Sequence, residues 1–338
     1  MERKITKKSQ YWQMVRGICI LAVIMIHCPS GQNYTDLDYT VWVILRQFIN
    51  FPVAMFIFLA GYFMTPEKVQ GDYKTFLFKR GVRLLLPYLV WSCIYLLKTA
   101  IFDGSTLRHI IYALICGKAA TPFYYIVVML QLTIITPWLV RHRKKWVYLI
   151  TPVYLVIIYT YNIVTGTVPL LYETLFPAWF FFYLFGMDCR SGNIGIGKWM
   201  KRINIYWVVI ALLISIAEAF ILKAVGCADG FVTSQIKCGS FLYAAALALW
   251  LWKKKNEFRR KNILSITGDY SYGIFYCHML ILWIVRKVIE LVGLNNIWVL
   301  NFGLCFILTA VGSFVFVWIV RSLAHKLKCD KVLMLIGF

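Results

Sequence analysis

Arg16 and His27 are the two residues whose types and spacing are best suited to chemistry within an apolar helix. They lie eleven positions apart, and eleven residues of α-helix turn through about 1,100° and rise about 16 Å. Both side chains therefore occupy one helix face but cannot touch. A histidine can take a proton from a hydroxyl near neutral pH, and a long substrate could reach from the arginine to it. The alternative for His27 is a packing histidine near a membrane edge.

A second basic pair consists of Arg80 and Arg83, which lie three positions apart and therefore share a helix face. Guanidinium groups bind phosphate with two parallel hydrogen bonds, so this pair could hold a phosphorylated ligand. The alternative is the ordinary basic flank at the cytoplasmic end of a membrane span. Spacing alone favours the flank.

Arg46 is harder to explain as a flank, because it lies in the outer half of an apolar stretch where basic residues are not expected. It could pair with Asp36 or Asp38, or face a polar cavity shared with His27. The alternative is a side chain that extends to the interface between the bilayer and water on the outer side of the membrane. Glu218 and His278 are also isolated ionisable residues in apolar stretches. Each could line a cavity or form a hydrogen bond to a neighbouring helix.

These residues lie in a chain dominated by apolar segments. Of its 338 residues, 61% are hydrophobic and only 15% are charged, which excludes a soluble domain, a disordered chain and a disulfide-stapled secreted module. We predict an all-α polytopic membrane protein with about ten transmembrane helices, forming a single membrane-embedded domain over residues 1–338 without a separate soluble domain. The predicted spans are Met14–Cys28, Val41–Phe63, Leu84–Phe102, Pro122–Val140, Trp146–Tyr161, Thr174–Met187, Ile203–Leu222, Gly239–Trp252, Tyr270–Val285 and Ile297–Val320.

The distribution of basic residues predicts the orientation of these spans. With ten spans and a cytoplasmic N-terminus, 28 of the 36 Lys and Arg residues fall on the cytoplasmic side and two lie within spans. The split predicts that both termini are cytoplasmic. It also accounts for the net charge of +22 without a nucleic-acid partner. The six basic residues predicted in outer loops are Arg108, Lys118, Lys223, Lys237, Arg286 and Lys287.

The ten cysteines show no spacing typical of a metal site, so no metal is expected. Cys227 and Cys238 share a predicted outer loop and could form a disulfide; two free thiols at the membrane edge are the alternative.

Five stretches of the sequence form an ordered set of motifs. They are Arg16-x10-His27, Phe51–Phe63, Arg80-x2-Arg83-x3-Pro87, Phe123–Pro137 and Ser271–His278. In this order they resemble the acyltransferase type 3 family of multi-pass membrane enzymes, which acylate extracytoplasmic glycans, and the surface-polysaccharide O-acetyltransferase branch is the most similar. The chain departs from the family pattern at Ala60, where many members have Ser, and at Tyr124-Tyr125, where Trp-Phe is common.

The resemblance implies an enzyme of the cell membrane whose co-substrate is cytoplasmic acyl-CoA, most commonly acetyl-CoA. The CoA phosphates would bind Arg80, Arg83 and Arg16. His27 would act as general base on an acceptor hydroxyl, with a transient acyl-histidine as the less favoured variant. Arg46 would stabilise the developing oxyanion or orient the acceptor.

The same resemblance implies that Tyr124, Tyr125 and His278 contact substrate, and that the partners are an extracytoplasmic glycan and membrane lipid. Two other classes remain open from the residues alone. A transporter or flippase of a lipid-linked sugar would share the topology, although no inverted repeat is evident. A non-catalytic membrane partner would leave His27 and the arginines individually replaceable. The sequence specifies neither the acyl chain, the acceptor nor the oligomeric state.

Overall fold

The computed structural model describes residues 9–29, 35–64, 69, 72–102, 104, 106–142, 145–192, 203–255, 260–294 and 297–338. These residues form helices and connecting turns, with no strand among them. Three short 3-10 segments, Thr121–Phe123, Lys145–Leu149 and Phe176–Ala178, lead into longer helices. The helices are α1 Gln10–His27, α2 Asp36–Phe48, α3 Pro52–Tyr62, α4 Tyr73–Phe102, α5 Leu107–Cys116, α6 Tyr124–His142, α7 Ile150–Thr165, α8 Phe180–Ser191, α9 Ile205–Ala224, α10 Asp229–Val232, α11 Cys238–Lys254, α12 Ile263–Leu291, α13 Trp298–Lys326 and α14 Asp330–Ile336.

Six helical stretches within the described ranges are long and apolar enough to cross a membrane. Each of the ten predicted spans overlaps at least one helix, and the second, Val41–Phe63, covers parts of both α2 and α3. Because α8 has only 12 residues and α11 has 17, the count of ten is not confirmed. The cytoplasmic placement of both termini also stays a prediction. The six stretches are Asp36–Tyr62, Tyr73–Phe102, Thr121–Arg141, Lys145–Thr165, Ile205–Ala224 and Trp298–Lys326.

Part of the predicted cytoplasmic charge lies outside the described residues. The basic residues concerned are Arg3, Lys4, Lys7, Lys8, Lys68, Arg143, Lys144, Lys198, Lys201, Arg202 and Arg259. The basic residues that the candidate site needs are all described.

Two glycines bring α1 and α12 into backbone contact. A Cβ added to Gly17 would lie 2.0 Å from the Leu264 carbonyl oxygen, and one added to Gly268 would lie 1.8 Å from that of Gln13. No side chain fits at either position, so the helix backbones meet directly, as small residues permit in membrane bundles. This contact places the helix that carries Arg16 and His27 alongside the helix that carries Ser271–His278.

A break between α2 and α3 orients the last turn of α2. Pro52 occupies the first turn of α3, where a missing backbone N–H costs no helical bond. In the break, the buried Asn50 side chain donates to Gln47 Oε1 at 3.1 Å and to the Ser234 carbonyl oxygen at 3.0 Å. The break is therefore tied to the segment before α11. Arg46 lies just before it.

The isolated Glu218 forms a structural network rather than a cavity wall. Lys237, predicted in an outer loop, is completely buried and lies 3.1 Å from the Glu218 carboxylate. It also donates to the Ser215 carbonyl oxygen at 3.1 Å, while Glu218 accepts from the Gly239 backbone N–H at 2.8 Å. A lysine can occupy this buried position because the Glu218 carboxylate compensates its charge and the Ser215 carbonyl oxygen accepts one of its N–H groups.

All ten cysteines, including Cys227 and Cys238, are free thiols. The proposed disulfide is therefore absent: Cys227 is buried and Cys238 is exposed at the start of α11.

Candidate active site

Two chambers meet inside the helical bundle at a boundary formed by three aromatic side chains. Phe56, Tyr125 and Phe275 line both chambers, and we call them the aromatic wall. The Tyr125 ring centroid lies 6.2 Å from that of Phe56 and 5.5 Å from that of Phe275. The wall brings together α3, α6 and α12, which are distant in the sequence.

The first chamber is basic and has a volume of about 640 Å³. We call it the arginine chamber, because Arg16, Arg80 and Arg83 all line it, together with Lys79. The structure thus brings the two basic motifs of the sequence into one space, although α1 and α4 are separated along the chain. Other lining residues include Asp72, Thr75, Ser271 and Tyr272.

Hydrogen bonds hold two of these arginines in place. Arg80 Nε donates to Thr133 Oγ1 at 3.2 Å. Arg16 Nη1 lies 3.4 Å from Gln13 Oε1, and the Arg16 guanidinium carbon lies 5.2 Å from the Phe63 ring centroid. Gln13 in turn donates to Asp269 Oδ1 on α12 at 2.9 Å. The guanidinium groups are therefore oriented before any ligand enters.

The second chamber, of about 400 Å³, contains His27 and Arg46, and we call it the histidine chamber. Arg46 lines it from the last turn of α2, and Arg46 Nη1 is buried without a hydrogen-bond partner among the described residues. Asp38 forms a capping box with Thr35 at the start of α2. Trp42, Thr121, Tyr124, Glu173, Thr233 and Gln235 also line this chamber.

The two adjacent tyrosines of the family-like stretch occupy different positions. Tyr125 belongs to the aromatic wall, whereas Tyr124 lines only the histidine chamber. The Tyr124 ring stacks on Trp179, with centroids 6.3 Å apart and an interplanar angle of 24°. Adjacent residues on a helix point about 100° apart, which explains why one sequence motif serves two surfaces.

His278 lies against His27 and does not line either chamber. The two ring centroids are 5.6 Å apart. His278 is completely buried, and its Nδ1 lies 3.0 and 2.8 Å from the carbonyl oxygens of Ile274 and Phe275. Since both partners are acceptors, Nδ1 carries the proton, and Nε2 of the neutral ring is an acceptor. That atom has no partner within the described part of the chain.

Arg286 supports the end of α1 that carries His27. Its Nη2 donates to the carbonyl oxygens of His27 and Cys28 at 2.7 and 2.8 Å. The last carbonyls of a helix have no partner within the helix and attract positive charge. The sequence assigned Arg286 to an outer loop, but it lies within α12, which extends to Leu291.

Three polar residues of the histidine chamber were not predicted from the sequence, because they lie in connecting segments without helical periodicity: Glu173, Thr233 and Gln235. A polar residue in such a segment has no signal that distinguishes a chamber wall from solvent. Within the described ranges, no group of three His, Cys, Asp or Glu side chains could hold a metal ion.

Comparison with known proteins identifies the family. No curated protein and no solved structure gives a significant match. The model of the acyltransferase type 3 family, described as an acyltransferase domain, matches residues 9–318. This range is nearly the whole chain and includes every residue that lines the two chambers. The chain therefore belongs to the acyltransferase type 3 family and is a membrane acyltransferase.

Proposed function

We propose that the protein transfers an acyl group, in the first instance acetyl, from cytoplasmic acyl-CoA to a hydroxyl of an extracytoplasmic glycan. Its place would be the plasma membrane. The observation that supports this proposal best is the pair of chambers that meet at the aromatic wall, with a basic pocket on one side and a histidine on the other. A group-transfer enzyme with a charged donor and a hydroxyl acceptor needs this division.

The arginine chamber suits the phosphate groups of CoA. Arg16, Arg80, Arg83 and Lys79 supply positive charge, and guanidinium groups pair with phosphate through two hydrogen bonds each. Arg16 and His27 are eleven residues apart on α1, so about 16 Å of helix separates them. An extended pantetheine arm has a comparable length. With the phosphates on the arginines, the thioester would reach the aromatic wall.

His27 would act as general base on the acceptor hydroxyl. As the hydroxyl oxygen attacks the thioester carbonyl carbon, its proton moves to the imidazole and a C–O bond forms. The tetrahedral intermediate then collapses, the C–S bond breaks, and the imidazolium returns the proton to the CoA sulfur. Arg46 lines the same chamber, and its Nη1 has no hydrogen-bond partner among the described residues, so it can bind the oxyanion of the intermediate.

His278 would position His27 without touching substrate. Its Nε2 is an acceptor that has no partner in the part of the chain that the structure describes, and its ring packs against that of His27. A ring N–H of His27 that donates to it would leave the other ring nitrogen, with its lone pair, for the chamber. This arrangement fixes the tautomer of the base, as an orienting partner does in other catalytic sites.

The test compares wild type, His27→Gln and His109→Gln in the same host. His109 is exposed on α5 and lines neither chamber, so it is a matched control. Membranes receive labelled acetyl-CoA, and label is followed into the surface-glycan fraction. We expect wild type and His109→Gln to transfer label at equal rates. The transfer rate of His27→Gln should be about 10²–10⁴-fold lower, which is the usual contribution of general base catalysis.

Two outcomes would contradict the proposal. Equal transfer by His27→Gln at equal membrane abundance would show that His27 is a packing residue. If wild type transfers no label to any acceptor but moves an unmodified lipid-linked sugar across the membrane, the protein is a transporter.

A further inference from the structure

We propose that Gln235, Glu173 and Arg46 form a binding subsite for the neutral, vicinal hydroxyl groups of a sugar ring. All three line the histidine chamber. The subsite specifies the class of acceptor for the proposed function. The part of its test that measures acetyl transfer rests on that function.

Unpaired polar atoms mark the subsite. Gln235 Oε1 and Arg46 Nη1 are both buried without a hydrogen-bond partner within the described part of the chain. Buried polar groups in native proteins are almost always paired, and exceptions commonly indicate a site that water or a ligand fills. Two such atoms on the walls of one chamber of about 400 Å³ point to a polar ligand there.

The chemical types of the two atoms select the ligand. Arg46 Nη1 carries two N–H groups and can only donate, so one N–H can bind a sugar hydroxyl while the other binds the oxyanion of the proposed reaction. Gln235 Oε1 can only accept hydrogen bonds. A carboxylate offers only acceptors and leaves Oε1 unpaired, whereas an ammonium offers only donors and leaves Nη1 unpaired. Adjacent hydroxyls on a sugar ring donate and accept together, so they satisfy both atoms.

Glu173 adds a third polar contact at the edge of the chamber. Its carboxylate accepts from Lys118 at 3.1 Å, and its side chain is 29% exposed. A carboxylate has about four acceptor positions, so capacity remains for ligand hydroxyls after the Lys118 bond. A sugar hydroxyl can donate to this carboxylate, whereas the carboxylate of an acidic sugar has no proton to donate to it.

The segment that carries Gln235 is held in place before any ligand arrives. The neighbouring Ser234 is buried, and its carbonyl oxygen accepts from Asn50 in the break between α2 and α3 at 3.0 Å. Ser234 Oγ accepts from the Ile236 backbone N–H at 2.9 Å. Because the same break follows Arg46, one anchor fixes both sides of the subsite. Rigid support of this kind is typical of binding sites.

The experiment uses the purified full-length protein in lipid nanodiscs and two independent readouts. The binding readout is the shift in thermal unfolding midpoint with maltose, glucosamine or glucuronate at equal concentration. The reaction readout is label transfer from acetyl-CoA to maltose, beside hydrolysis of acetyl-CoA without sugar. The variants are Gln235→Met, which keeps the side-chain volume, Glu173→Gln, and Glu290→Gln as the matched exposed control on α12.

We expect maltose to stabilise wild type and Glu290→Gln more than either charged sugar does. Gln235→Met should lose this extra shift in the unfolding midpoint and raise the KM for maltose at least tenfold. Glu290→Gln should change neither the KM for maltose nor acetyl-CoA hydrolysis by more than about twofold. Glu173→Gln should reduce the difference between the unfolding-midpoint shifts that maltose and glucuronate produce.

Equal maltose shifts in wild type and Gln235→Met, or a larger shift with a charged sugar, would overturn the subsite. The binding readout does not depend on catalysis. Wild type could fail to hydrolyse acetyl-CoA or to transfer its acetyl group while maltose still gives a midpoint shift that Gln235→Met loses. In that case the proposed donor is wrong and the subsite stands. If acetyl-CoA turns over but Gln235→Met is unchanged, the subsite fails and the proposed function stands.

Discussion

The arginine chamber and the histidine chamber use polar groups in opposite ways. The first combines four cationic side chains with the single carboxylate of Asp72, and two of its guanidinium groups are hydrogen-bonded to protein acceptors. The second mixes a cation, a carboxylate and an amide, and two of its buried polar atoms have no partner among the described residues. Charge of one sign attracts a ligand from a distance, whereas mixed donors and acceptors select by geometry. The comparison suggests that donor affinity and acceptor selectivity are separate properties of the two chambers.

Arg46→Gln is the variant with the larger expected effect, because it removes a cation from the side where the reaction would occur. We expect kcat to fall about 10²–10³-fold, as for the loss of an oxyanion contact, with the KM for acetyl-CoA changed less than threefold. Initial rates at varied acetyl-CoA measure both. Arg108→Gln, on the exposed side of α5, is the control. A raised KM for acetyl-CoA with a normal kcat would show that Arg46 binds the donor. The two chambers would then not divide donor binding from reaction.

Arg80→Gln combined with Arg83→Gln should give the complementary result. Losing two phosphate contacts should raise the KM for acetyl-CoA about 10–100-fold in total, which is about 0.7–1.4 kcal/mol for each contact. This is less than the ~1.5–3 kcal/mol of a well-buried hydrogen bond to a charged group, because Arg83 is exposed and solvent screens its charge. Added salt should weaken acetyl-CoA binding less in the variant than in wild type, because fewer charges remain to screen. The control is Arg141→Gln, exposed at the end of α6. An unchanged KM and salt dependence would mean that these arginines are only a basic flank.

His278→Leu should have the smallest effect, about tenfold on kcat, because His278 acts through His27. His278→Gln can present an amide oxygen where Nε2 stands, so it should recover most of the rate. Rates at saturating acetyl-CoA and acceptor, with membrane abundance measured in parallel, distinguish the two. Equal losses in both variants would indicate a packing role, and a raised acceptor KM would indicate direct substrate contact.

The sequence predicted features that depend on local spacing. Arg16 and His27 lie on one helix, α1, and each predicted span overlaps at least one helix. Local periodicity carries this information because each helix satisfies its own backbone hydrogen bonds. The apolar pattern also predicted short segments at α8 and α11, Thr174–Met187 and Gly239–Trp252, and the helices there have 12 and 17 residues.

Features that depend on convergence between distant segments were not predictable from one sequence. Arg286 reaches the end of α1 only because Gly17 and Gly268 let the two helix backbones meet. Gln235 reaches the histidine chamber through the Asn50 anchor. Neither residue has neighbours in the sequence that reveal its partner.

The aromatic wall has a consequence for the permeability of the membrane. Two polar chambers joined without it would form a leak for ions, and moving one elementary charge across a membrane involves about 2.3 kcal/mol per 100 mV. In the proposed reaction an acyl group leaves the sulfur and a hydrogen replaces it, so no net charge passes Phe56, Tyr125 and Phe275. The transfer would therefore be electroneutral, and an enzyme of this design could work at any membrane potential without dissipating it.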